Sequence, residues 1–327
     1  MAQCARLARD TLVAAVALSR LASPVSAQTY HEFYGPPTPL VFDAKGARHW
    51  CLYGYYGPSR RRERGTDACR RPHETNFEMV VKMAITRSAN GLLAQVIDAH
   101  GGMARWNERE KIEATIVSGG GFFPLKGVIQ DSEPRRMTVW LHEERSSVLP
   151  YGAADQRTMF TPDRIVIEKL DGTLVAERRD PRDSFAGHQM NTPWDALHRA
   201  YFNGEALWTY LTTPFLLALE GVVVEEAEPW SEGNETWRVL RAHFPGSIET
   251  HSLIQDFFFD HGFRLRRHDY SVNIAGGFPA SQLTSGYIVA DGIHLPTKRR
   301  AYTRGPGRRP ILDMLMVSID ISEVGFT

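Results

Sequence analysis

The chain has 327 residues, 43% of them apolar and 23% charged, with Lys+Arg and Asp+Glu equal at 38 each. A net charge of zero lacks the basic excess of a nucleic-acid-binding chain, and the apolar share is enough for a sizeable core. All three cysteines, Cys4, Cys51 and Cys69, lie near the N-terminus, so the rest of the chain has no thiolate nucleophile and no cysteine metal ligand.

Arg6 and Arg9 precede the apolar run Thr11–Ser19, and Val25-Ser26-Ala27 is a candidate cleavage site. That order reads as a secretory signal, although Asp10 and Arg20 interrupt it. Residues 28–78 are rich in Pro, Gly and Arg without a period, as in Arg60-Arg61-Arg62-Glu63-Arg64-Gly65. Such a stretch buries too little apolar surface to offset its ordering entropy. Residues 1–78 are therefore expected to be a signal or an extension, mostly disordered, and residues 79–327 a single β domain. The compartment stays open: periplasmic or secreted if residues 1–27 are a signal, cytoplasmic if translation starts near Met79. The longest apolar stretch, Leu207–Val224, contains Thr209, Thr212, Thr213, Pro214 and Glu220. A bilayer span needs about 20 predominantly apolar residues, so no transmembrane helix is expected.

The domain opens with a helix: Leu92, Leu93, Val96 and Ile97 follow helical spacing, and Gly101-Gly102 ends it. Strand patterns come next over 111–118, 136–143, 145–151, 164–170 and 173–178, the last two flanking Asp171-Gly172. Later strands are expected over 221–226, 235–244, 251–260, 263–273, 281–290, 293–303 and 311–322, with turns at Asp260-His261-Gly262 and Asp291-Gly292. A helical insert interrupts them. Thr192-Pro193-Trp194-Asp195 predicts a helix start with Thr192 as N-cap, Asn203-Gly204 its end, and Glu205–Leu219 a second helix kinked at Pro214. Trp208, Tyr210, Leu211, Phe215, Leu216, Leu217 and Leu219 leave almost no polar face, so this segment must be buried. The fold class is mainly β with α. The expectation is a curved antiparallel half-barrel of about 10–11 strands, with an N-terminal helix and a two-helix apolar insert on the concave face.

Asp98-Ala99-His100-Gly101-Gly102 after the first helix, the apolar insert, Phe257-Phe258-Phe259-Asp260, Phe263-Arg264-Leu265-Arg266-Arg267 and Asp291-Gly292-Ile293-His294-Leu295-Pro296-Thr297 succeed one another in an order that resembles a known superfamily. It is that of the outer-membrane lipoprotein-sorting carriers, with the LolA/LolB-like fold, and the resemblance covers most of residues 90–325. It implies a half-open antiparallel barrel that holds helices against its concave face, with acyl chains bound between them.

Trp194, Tyr201, Phe202, Trp208, Tyr210, Leu211, Phe215 and Phe257 are the candidate walls of an apolar ligand pocket. Aromatics at helical spacing equally serve as plain core. His188, Asp195 and His198 offer an acid–base or metal-type grouping, since Asp195 and His198 lie three residues apart on one helix face. Asp195 as a helix cap is the competing reading. In the run His251–Asp269, strand alternation puts His268 on the face of Tyr270 and turns Asp269 away, so those two cannot form a dyad. Arg266 and Arg299 are candidates for holding an acidic head group, against a solvated outer face as the alternative. No phosphate loop, nucleophile elbow or zinc-protease motif occurs, so no cofactor and no metal are expected. The reading is a non-catalytic binder or carrier of an apolar small molecule or acyl chain. The alternatives are a cofactor-free enzyme using His188, Asp195, His198 or His268, and a domain that meets a protein or a membrane surface.

Overall fold

The computed structural model describes residues 89–129 and 132–327, and the backbone of Val41–Phe42 and Arg48–His49. The signal reading of residues 1–27, the cysteines, and most of the stretch expected to be disordered lie outside the described residues. The chain divides into two compact units, Met1–Arg71 and Pro72–Thr327. In the first, β1 (Val41–Phe42) pairs antiparallel with β2 (Arg48–His49). All other described elements belong to the second.

Helix α1 (residues 89–99) buries Leu92, Val96 and Ile97 of the expected stripe together with Ala89, while Leu93 is half-buried. Its end docks on the β13–β14 turn described below. A Cβ at Gly101 would lie 2.5 Å from the Gly292 carbonyl oxygen, so only glycine fits. The His294 N–H donates to the His100 carbonyl at 3.0 Å. Two of the motifs behind the resemblance thus form one contact. Helix α2 (Met103–Asn107) then places Trp106 in the core, stacked on Phe215 with centroids 4.1 Å apart.

One sheet of 13 strands makes up the body of the unit, every pairing antiparallel. Its first meander is β3 (Lys111–Gly119), β4 (Arg135–Trp140), β5 (Arg145–Leu149), β6 (Gln156–Thr161), β7 (Arg164–Lys169) and β8 (Leu174–Arg179). Its second is β9 (Val223–Glu232), β10 (Glu235–His243), β11 (Ile254–Phe259), β12 (Leu265–Val272), β13 (Phe278–Ala290), β14 (Ile293–Arg304) and β15 (Pro310–Phe326). A short helix α3 (Phe122–Leu125) sits between β3 and β4. The order in the sheet is β8-β7-β6-β5-β4-β3-β15-β14-β13-β12-β11-β10-β9. The first and last strands of the unit, β3 and β15, pair in the middle, and β8 and β9 are the edges.

This topology explains where the insert goes. β8 and β9 are consecutive in the chain yet lie at opposite edges, so the connection must cross one face of the sheet. Helix α4 (Ala196–Thr212, 17 residues) makes that crossing. In a flat sheet the edges would be about 58 Å apart, twelve steps of ~4.8 Å, whereas a helix of this length spans about 25 Å. The sheet is open and curved, and α4 lies on its concave side, touching β4 through β8. Every residue of α4 from Arg199 to Thr212 is buried.

Three departures from the sequence reading have local causes. Strand β6, with only Phe160 as a large inward apolar residue, was not among the expected strands. Helix α4 runs through Asn203-Gly204 rather than ending there, and its N-cap is Asp195, not Thr192. The break in the insert falls at Thr213, the C-cap. Pro214 comes after it, as the N-cap of a 3₁₀ turn, Phe215–Ala218, and not inside a helix. The expected second helix kinked at Pro214 is therefore replaced by the end of α4 and a separate 3₁₀ turn.

Candidate functional site beneath the insert

Two neighbouring features lie between α4 and the sheet. The first is an apolar void. It is bounded by Ile116 and Ser118 of β3, Val317 and Ile319 of β15, Phe123 of α3, and Phe202, Asn203, Ala206, Leu207 and Tyr210 of α4. Its volume is about 20 Å3, room for one water-sized sphere and not for a chain. The concave face is thus filled by the insert, with a seam left along α4.

The second is a chain of buried polar groups. Glu205 of α4 is fully buried, and its Oε1 lies 2.7 Å from His251 Nδ1. His251 Nε2 lies 2.7 Å from the Tyr210 hydroxyl, which is 2.8 Å from the Tyr270 hydroxyl. Arg299 of β14 donates through Nη1 to Gln282 Oε1 at 2.8 Å and through Nη2 to the Tyr210 carbonyl at 2.5 Å, with its guanidinium 5.0 Å from the Tyr210 ring centre. Burial lowers the Arg299 pKa to about 10, the tyrosines around it working the other way. Burial also holds Tyr210 well above the usual phenol value, and Tyr270 above it too. Phenols in this state stay neutral at ordinary pH, so the chain, with one close charge-type contact at Glu205 and a set of hydrogen bonds beyond it, pins α4 to β12–β14 and to the segment before β11.

At the outer end of the chain the polar groups come from four elements. Arg182, in the 3₁₀ turn Pro181–Phe185, donates to Glu249 Oε2 at 2.5 Å, and the Tyr201 hydroxyl donates to the same oxygen at 2.6 Å. Arg182 Nη1 is 3.8 Å from Glu205 Oε2. Glu144, in the β4–β5 turn, accepts from the Glu249 N–H at 3.1 Å. Desolvation, then repulsion from Glu205 and Glu249, raises the Glu144 pKa to about 9. The insert is therefore clasped from both halves of the sheet.

The eight candidate pocket residues are all buried but belong to three packed clusters. Trp194, Tyr201 and Phe202 pack with Phe122, Phe160 and Tyr270. Trp208, Tyr210, Leu211 and Phe215 pack with the inner residues of β3 and β4. Phe257 packs with Leu216, Leu217 and α1, and stacks on His268 at 4.2 Å. Of the eight, Phe202 and Tyr210 line the void.

The His/Asp grouping is brought together only in part. His198 Nδ1 lies 2.9 Å from Asp195 Oδ1, and the His188 and His198 rings are 5.1 Å apart. Asp195 accepts the His198 N–H, and His198 Nδ1 accepts the Asp195 N–H, a reciprocal helix cap. His268 lies elsewhere, fully buried, 2.5 Å from Gln255 Oε1. Burial, then His251 and Arg299, depresses its pKa well below the usual value. Its neighbour Asp269 faces the other side of the sheet, as alternation predicts. Arg266 and Arg299 are not together: Arg299 points into the core, while Arg266 is the extra residue of a bulge opposite Phe259 and lies 3.8 Å from Asp260.

Glu205, Glu249, Glu144 and Arg182 escaped the sequence reading. The one local signal is that Glu205 is a lone carboxylate on an otherwise apolar stretch of α4. Among the described residues, no group of three or more His, Cys, Asp or Glu could hold a metal ion.

No protein-family model matches the chain, and no curated protein matches it. The chain is similar to several solved structures, among them the following three. One is a LolA superfamily protein from Nitrosomonas europaea, 12% identical, covering 72% of this chain and 92% of that one with a TM-score of 0.41. A DUF1329 family protein from Desulfovibrio piger is 10% identical over 74% and 93%, with a TM-score of 0.43. A domain described as a putative outer membrane lipoprotein-sorting protein, from Vibrio parahaemolyticus, is 10% identical over 74% and 93%, with a TM-score of 0.45.

Proposed function

We propose that this protein is a non-catalytic carrier or sensor that binds a lipid-like ligand, an acyl chain, between α4 and the concave face of its sheet. The observation that carries the reading is the seam under α4. Of its ten lining residues, all but Ser118 and Asn203 are apolar or aromatic. One helix covers it, and that helix is joined to the sheet edges by loops rather than woven into the ladder. The seam holds no chain while α4 is seated, so ligand entry requires α4 to move outward. The clasp around Glu205 and Glu249 sets how hard that movement is.

An acid–base enzyme has less to stand on. Asp195 and His198 are engaged in capping a helix, and His268 is sealed in the core.

Native mass spectrometry of the full chain after incubation with palmitate or a phospholipid is the direct test. The expected result is a stoichiometric adduct that survives gentle desolvation. A chain that stays ligand-free at saturating lipid would overturn the reading.

A further inference from the structure

The outer face of the sheet carries a polar row unrelated to the seam. In register across four strands stand Arg241 of β10, Asp256 of β11, Asp269 of β12 and Ser281 of β13. Phe257 and His268, adjacent in sequence to the two aspartates, face the core, so this row faces outward. Arg241 holds Asp256 by a fork of 2.8 and 3.0 Å. Arg267, itself fully buried, holds Asp269 by a second fork of 2.6 and 2.7 Å, and Ser281 Oγ donates to the same carboxylate at 2.7 Å.

The end of β14 and the β14–β15 connection fold over this row. Arg304 Nη1 donates to Asp269 Oδ2 at 2.9 Å, and Arg308 Nη2 donates to Asp256 Oδ2 at 2.6 Å. Arg267 also donates to the Arg308 carbonyl, tying the loop down. Arg308 stands at φ 60°, a left-handed conformation uncommon for a residue with a Cβ. Such backbone persists where surrounding bonds over-determine it, and it is concentrated at binding sites.

Four guanidiniums thus meet two carboxylates, beside an open groove of about 470 Å3 lined by Arg241, Asp256, Asp269, Arg304 and Arg308 among others. Glu225, opposite Arg241 on β9, offsets the excess at that end. The uncompensated charge is therefore concentrated at Arg304 and Arg308. Arg304 turns one terminal nitrogen to Asp269, and Arg308 turns one to Asp256 with Asp269 3.7 Å from it; each keeps further N–H donors without a partner among the described residues. A fixed pair of partly exposed guanidiniums with spare donors matches a tetrahedral oxyanion.

We propose that Arg304 and Arg308, backed by Asp256 and Asp269, form a binding site for a phosphate-type anion on the outer face of the sheet. The two carboxylates hold the guanidiniums in place and leave the net charge positive. A phosphate monoester, free or on a lipid head group, presents the same oxygens to the site. This inference is independent of the ligand reading under α4.

The test uses the full chain in two arms. Inorganic phosphate is titrated by calorimetry, and phosphatidylcholine vesicles with and without phosphatidic acid are tested by flotation. Saturable phosphate binding, phosphatidic-acid-dependent flotation, or both are expected. Phosphate alone points to a free anion, and vesicles alone to a head group. The double substitution Arg304→Gln/Arg308→Gln should weaken whichever binding is seen by about tenfold or more. Should that variant fail to fold, Arg308→Lys keeps the charge and loses the planar fork, and should weaken binding several-fold. Wild-type chain that binds neither probe overturns the proposal, as does binding that these substitutions leave unchanged. A chain that takes up palmitate yet fails both arms would keep the interior reading and lose this one.

Discussion

Gly204 of the insert helix lies against the ring of Phe160 in β6: a Cβ built on Gly204 would fall 2.4 Å from both Cβ and Cγ of Phe160. This contact explains why a glycine stands in the middle of a 17-residue helix. Helix and strand approach so closely that no side chain fits between them, and the Ser146 hydroxyl donates to the Gly204 carbonyl at 3.1 Å on the same side. Gly204→Ala would gain about 1 kcal/mol in helix propensity but would overpack the contact, which costs about 1–3 kcal/mol. The expected net effect is a lower thermal midpoint by calorimetry. Phe160→Leu in the same background should restore part of it. A midpoint that rises in the single variant would show that the helix sits further from the sheet.

Glu205 and His251 are both fully buried and 2.7 Å apart. Removing one partner of a buried pair strands the other without water, at about 3–5 kcal/mol. Glu205→Ala should therefore destabilise strongly, and Glu205→Gln, which keeps the shape, much less. Because the two residues touch, a urea-unfolding cycle of Glu205→Ala, His251→Ala and the double variant should show a coupling of about 1 kcal/mol or more. Simple additivity would mean that the pair does not clasp the helix.

Glu144 gives the fold a pH dependence with a definite sign. Its pKa is raised from the ordinary 4.5 to about 9, chiefly by desolvation and then by the neighbouring Glu205 and Glu249. Between those values the unfolded chain has lost this proton and the folded chain keeps it. The folded state binds more protons, so stability falls as pH rises through that window. Urea midpoints measured from pH 5 to pH 8.5 should therefore decline, and Glu144→Gln should flatten the decline and stabilise the protein at the alkaline end. Equal slopes in the two proteins would remove Glu144 as the cause.

Much of the fold was legible because its signals are local. The stripe of α1 and the Asp-Gly turns depend on a few adjacent residues: Asp291 and Gly292 take φ 49° and 76°, as a tight hairpin turn needs. Where a distant contact decides, the local signal misleads. Asn203-Gly204 carries the usual helix-stop composition, yet the glycine answers to Phe160. Strand β6 alternates Thr158 and Phe160 inward, too weak a pattern to stand out. Alternation along β12 fails at Arg266, where the bulge adds a residue. For the site, the burial of the aromatic insert could be read from its composition. The clasp could not, since Glu144, Arg182, Glu205 and Glu249 come from separate turns and a helix that meet only after the sheet has curled.

Asn203 offers a separate probe of the seam. It is buried on α4 and lines the void, and its Nδ2 has no hydrogen-bond partner among the described residues. An unpaired buried amide costs about 1–3 kcal/mol, unless a water occupies the space beside it. Asn203→Leu replaces that amide with an apolar group of similar size and fills the void with methyl groups. The expected result is a fold as stable as the wild type, or more stable by about 1 kcal/mol, because a polar group is removed and a gap closed together. The same change seats α4 more firmly, so uptake of a fluorescent fatty acid in stopped flow should become slower. If the variant gains stability and uptake keeps its wild-type rate, the acyl chain does not enter along this seam, and the ligand site must be sought elsewhere on the sheet.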